Sequence, residues 1–93
     1  MEPLTLDTFA PHVGSSFVAD GAGCALELIE ATALPASGHE PRPPFSLVFN
    51  GPPDPLLPQA SYALTHPTLG ELEIFIVPIA RDADAVRYEA VFA

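Results

Sequence analysis

Along most of this 93-residue chain, apolar and polar positions alternate with a period of two, and clusters of proline and glycine interrupt the alternation. The pattern predicts short strands. Its clearest stretch covers residues 60–78. Ser61 to His66 reads as one strand, Glu71 to Pro78 as the next, and Pro67, Thr68, Leu69 and Gly70 as a four-residue loop between them. Pro67 pre-sets φ for the first turn position, and Gly70 can adopt the left-handed conformation that closes the loop. That loop length places His66 opposite Glu71, Thr65 opposite Leu72, Leu64 opposite Glu73, Ala63 opposite Ile74 and Tyr62 opposite Phe75. Cross-strand partners share a face. One face therefore carries Ala63, Leu72, Ile74 and Ile76 and is the core candidate. The other carries Tyr62, Leu64, Phe75 and Val77 at one end and His66, Glu71 and Glu73 at the other. So apolar a second face is either covered by the N-terminal turn and the proline-rich loops or is a contact surface.

The same reading extends along the chain. Thr5 or Asp7 can cap a short helical turn bearing Leu6, Phe9 and Val13 at spacings of three and four, which Pro11 and Gly14 keep short. Residues 15–20 and 24–31 read as strands joined by Gly21, Ala22 and Gly23. Cys24, Leu26 and Leu28 form the apolar side of the second, and Glu30, falling on that side, marks its end or a bulge. Residues 45–50 present Phe45, Leu47 and Phe49 on one face. Residues 86–92 present Val86, Tyr88, Ala90 and Phe92. Two proline-rich connections, 34–44 and 51–58, lack the amides a ladder needs. Six short strands with one helical turn predict an all-β domain over residues 1–93, a mainly antiparallel six-stranded barrel or sandwich.

Composition narrows the function more than the fold. With 48% hydrophobic and 16% charged residues the chain is expected to fold, and its length allows one modest core that buries roughly 60 to 70% of the unfolded surface. Twelve acidic residues against Arg42, Arg81 and Arg87, with no lysine, leave a net charge of -9. Such a field repels phosphate backbones and anionic headgroups, so neither nucleic acid nor a membrane is an expected partner. Met1-Glu2-Pro3 lacks the basic head and apolar run of a secretory signal, and the expected location is cytoplasmic. Cys24 has no partner for an internal disulfide and reads as an inert thiol within a strand.

Candidate chemistry is sparse. His66 with Glu71 and Glu73 is the best polar cluster, because a carboxylate beside an imidazole can orient it as a base or ligand; the plainer reading is a cross-strand ion pair at a hairpin tip. Ser61 lies at the far end of the strand and on the opposite face, which excludes a triad through it. His12, His39 and His66 show no ligand-like spacing, so no metal is expected. Asp82 and Asp84 resemble the start of a calcium loop without its remaining ligands and read as turn formers. Gly21 and Gly23 lack the rest of a phosphate-binding loop. Pro41, Arg42, Pro43 and Pro44 are compatible with a polyproline helix, although stiffening a long connection explains them as well.

A resemblance covers nearly the whole chain. Leu6-x-x-Phe9-x-Pro11-x-Val13-Gly14-x-x-Phe17, then Phe45-x-Leu47-x-Phe49-x-Gly51-Pro52, then Leu57-Pro58-Gln59-x-x-Tyr62-x-Leu64-x-His66-Pro67-x-Leu69-Gly70, and Phe75-x-Val77-Pro78 with Arg87-Tyr88-x-Ala90-x-Phe92, resemble a family of short bacterial domains of unknown function. The resemblance implies no activity, cofactor or catalytic residue; it implies a loose association with phage-tail-like or other assemblies. Gln59 has a physical reading of its own, since its amide can satisfy groups that the preceding prolines leave without ladder partners.

The expectation is a non-enzymatic module that binds a protein partner or itself through Tyr62, Leu64, Phe75 and Val77. The alternative is a small-ligand binder or enzyme built on His66, Glu71 and Glu73 in a cleft at the hairpin tip. Neither reading requires a cofactor.

Overall fold

The computed structural model describes residues 4–36, 38 and 43–92. His39, Pro41 and Arg42, and with them the polyproline reading and one of the three histidines, lie outside the described residues. Six strands, β1 Ser16–Ala19, β2 Cys24–Ala33, β3 Phe45–Gly51, β4 Ala60–His66, β5 Gly70–Arg81 and β6 Val86–Phe92, close into an antiparallel barrel in the order β1-β2-β3-β6-β5-β4. Closure removes sheet edges that would otherwise template pairing with another chain. Of the two architectures expected, the barrel is the one formed.

Alternation places the core. Leu26 and Leu28 of β2, Phe45, Leu47 and Phe49 of β3, and Val86, Tyr88 and Ala90 of β6 are fully buried, facing inward as their period of two requires. The β2–β3 register shifts between Leu28 and Glu30, and this bulge turns Glu30 outward. Gly51 permits the tightest approach. A Cβ there would sit 2.7 Å from Leu26 Cδ2 and 3.1 Å from Tyr88 Cε2.

The barrel has two ends, each plugged from outside the sheet. At the end where β1 begins, α1 Leu6–Phe9 and a 3-10 turn, Ala10–His12, lay Phe9 over the opening. Its ring centroid stands 6.3 Å from Phe17, 6.0 Å from Phe45 and 5.8 Å from Phe92. Thr5 is the N-cap, and its amide donates to Thr8 Oγ1 at 3.1 Å. Val13, expected on the apolar side, is exposed instead, because the 3-10 turn ends the helical spacing before it. At the other end the proline-rich loop 52–59 drops Leu57 into the barrel, and the Leu57 amide donates to the buried Tyr88 hydroxyl at 2.9 Å. Tyr62 Oη donates to the Pro58 carbonyl at 2.6 Å. These two hydroxyls do the work expected of Gln59, which is exposed.

The β4–β5 hairpin forms where expected, in a different register. His66 pairs with Gly70, Thr65 with Glu71, Leu64 with Leu72, Ala63 with Glu73, Tyr62 with Ile74 and Ser61 with Phe75. The loop is three residues, 67–69, and Gly70, at φ +77°, already belongs to the strand. The cause is the imidazole of His66, whose Nδ1 accepts the amides of Thr68 at 3.0 Å and Leu69 at 3.2 Å. These bonds draw the turn in by one residue. With a side-chain period of two, a one-residue slip exchanges the faces of one strand relative to the other.

Candidate functional site

That slip divides both residue sets expected from the sequence. Tyr62 and Leu64 face the core together with Leu72, Ile74 and Ile76, whereas Phe75 points outward, as do Glu71 and Glu73. The contact face of Tyr62, Leu64, Phe75 and Val77 is thus not one surface. His66 is likewise separated from Glu71 and Glu73: it is inside, at 4% exposure, and the two carboxylates are outside. Ala63, expected in the core, is exposed.

Inside, His66 meets residues that sequence spacing did not connect to it. Its Nε2 lies 3.0 Å from Ser15 Oγ, its ring centroid 4.6 Å from Phe17 and 4.6 Å from His12, the latter edge-on. The proton positions follow from the partners. Nδ1 faces two amide donors and must present its lone pair, so Nε2 carries the hydrogen and donates to Ser15 Oγ. Ser15 in turn donates to the His12 carbonyl at 2.6 Å. A serine beside a histidine would suggest an activated nucleophile, yet this polarity is reversed: the imidazole gives a hydrogen to the serine and spends its lone pair on the backbone. Burial, with a smaller contribution from nearby His12, holds the His66 pKa below its ordinary 6.5. The cluster is built to latch the hairpin tip to the segment that follows the helical plug.

The remaining chemistry-bearing residues have local roles. Asp82 Oδ1 accepts the amides of Asp84 at 2.8 Å and Ala85 at 2.9 Å, an aspartate turn whose bonds lower its carboxyl pKa. Cys24 is half-buried against the core, and burial pushes its thiol pKa up, away from the reactive thiolate. Among the described residues, no group of three or more histidine, cysteine, aspartate or glutamate side chains is placed to hold a metal ion. None of their helices is long and apolar enough to cross a membrane. A groove of about 330 Å3 opens at the helix end between Thr5, Leu6, Asp7, Ala33, Pro43 and Pro44. It is not lined by His66, Glu71 or Glu73, so it is not the cleft expected at the hairpin tip.

Outside, one face stands out. Beyond Ile76, β5 leaves its ladder with β4 and pairs with β6, Val77 opposite Glu89. Phe75 and Val91 lie one same-face step beyond that pair on either strand, 44% and 57% exposed. Continuing across the barrel, Glu89 pairs with Val48 and Val48 with Glu30. Valine, glutamate, valine and glutamate thus alternate over four strands. Val48, Val91, Glu89 and Glu30 were absent from the expected site. The signal for Val48, Val91 and Glu89 in the sequence is the outward parity of β3 and β6, which becomes a surface only when the strand order is known, and Glu30 joins them only through the bulge.

A family model described as Domain of unknown function (DUF6916) matches residues 4–92, and the chain belongs to that family. No curated protein and no solved structure matches it.

Proposed function

We propose that this member of the family is a non-enzymatic binding module, a component of a larger protein assembly that docks through the outer face of β5 and β6. The observation that carries the reading is the placement of Phe75 and Val91 one same-face step beyond the Val77–Glu89 pair: two large apolar side chains, about half exposed, on one face of a closed barrel whose interior is already filled. The surface retains Phe75 and Val77 from the sequence-based expectation and replaces Tyr62 and Leu64 with Val91 and Val48. Barrel closure and a net charge of -9 keep the rest of the surface from associating unspecifically.

Site-specific photo-crosslinking in the native host tests this. A benzophenone side chain at position 75 or 91 is expected to trap a discrete adduct, and the same probe at Leu56, an exposed apolar residue of the proline-rich loop, is not. Equal trapping from all three positions, or none from 75 and 91, would remove the assignment.

A further inference from the structure

The docking face has a charge pattern that selects its occupant. Glu73 lies one same-face step from Phe75, Glu89 stands between Val77 and Val48, and Glu30 follows Val48. Adjacent strands are about 4.8 Å apart and same-face neighbours along a strand about 7 Å apart, so every apolar position has a carboxylate within one step. The row on the Val91 side continues with Ser46 and Thr32, both uncharged. Arg87 lies one same-face step from Glu89 on the other side of that row, level with Asn50 and Glu27, so a cation borders the row there without interrupting it. The face therefore offers apolar surface interleaved with negative charge.

Resting on the reading of this face as the docking surface, we propose that its occupant is a cationic amphipathic segment of a partner protein, with lysine or arginine about one helical turn from its apolar anchors. Residues three and four apart on a helix are about 5–6 Å apart, between the step of about 7 Å from Phe75 to Glu73 and that of about 4.8 Å from Val77 to Glu89, so long cationic side chains reach both carboxylates. A second copy is a poor occupant, because a two-fold contact would bring the same carboxylates of two strongly acidic chains face to face. An anionic membrane surface is repelled by the same charges.

The test uses the full chain and two synthetic amphipathic helices of equal hydrophobicity, one of leucine and lysine, the other of leucine and glutamate, with binding read by fluorescence anisotropy. The lysine probe is expected to bind and the glutamate probe to fail. Phe75→Ser should weaken the lysine probe by about tenfold. Glu73→Gln with Glu89→Gln should weaken it about three- to tenfold and flatten its salt dependence. The control pair Asp54→Asn with Asp84→Asn removes the same charge away from the face and should change affinity by about twofold or less. Equal effects of the two charge pairs would show attraction to net charge alone and overturn the proposal. Loss on Phe75→Ser without loss on the glutamate pair would keep the docking face and overturn the cationic partner. No effect of Phe75→Ser would overturn both. Concentration-dependent dimerisation of the protein, abolished by Phe75→Ser, would identify a second copy instead.

Discussion

The two ends of the barrel meet the same requirement by different means. At the helix end, a phenylalanine on a short helix covers three aromatic rings, and a buried histidine ties the hairpin tip to the segment behind the helix through Ser15. At the loop end, a proline-rich segment inserts one leucine and anchors its backbone to two tyrosine hydroxyls, those of Tyr88 and Tyr62. Both ends exclude water from an apolar interior. They differ in what else each closure depends on. The helix end depends on an imidazole that must stay neutral to accept two amides. The loop end contains no imidazole. The prolines there cut the conformational freedom that the loop would lose on folding, so a single apolar side chain and a few hydrogen bonds, two of them to tyrosine hydroxyls, can hold it.

The sharpest way to break the comparison is to remove both plugs. Phe9→Ala should cost about 3–5 kcal/mol in denaturant unfolding, because the vacated volume lies against three buried or half-buried rings that have little room to collapse. Leu57→Ala should cost less, about 2–3 kcal/mol, since a loop can settle into the space more readily than a sheet can. If Leu57→Ala proved the more damaging, the proline-rich loop would be the main closure. Tyr88→Phe leaves the buried Leu57 amide without its acceptor and should cost about 1–2 kcal/mol. Hydrogen exchange should then speed up at Leu57 while amides of residues 6–12 keep their protection. Gly51→Ala, which drives a methyl against buried Leu26, should cost about 1–2 kcal/mol by overpacking, with neither plug released.

The smallest effect expected is graded and belongs to the helix end. The pKa of His66 is lowered in the folded protein, so the unfolded chain binds the proton more readily. Its stabilising contribution is complete above the unfolded value of about 6.5 and diminishes as pH falls from there towards the lowered folded value, below which the loss is full. Protonation at Nδ1 would also turn a proton toward two amide hydrogens. Proton NMR of the His66 ring, with stability measured from neutral to mildly acid pH, should show this slope, with exchange at the Thr68 and Leu69 amides rising first. A ring titrating at or above its ordinary value would contradict the assigned hydrogen bonds.

Particular elements show how far the sequence could be read. The strands, the hairpin position and the inward faces of β3 and β6 follow from local alternation and turn chemistry, whereas alternation left Glu30 as a strand end or a bulge and the β2–β3 register decided for the bulge. The contact of Ser15 with His66 spans 51 positions, and no motif spacing announces it. The proposed docking face depends on strand order: Val77, Glu89, Val48 and Glu30 are distant in sequence and adjacent only because β6 lies between β5 and β3, and β3 beside β2.

By itself the sequence determined an acidic antiparallel β structure with six strands, and which side of most strands is apolar, because those properties depend on a residue and its near neighbours. The tertiary structure decided the register of the hairpin, and through it which residues are buried and which are presented. Turn chemistry permits loops of three or four residues alike. The choice fell to an imidazole that, held under the N-terminal plug, takes up two loop amides.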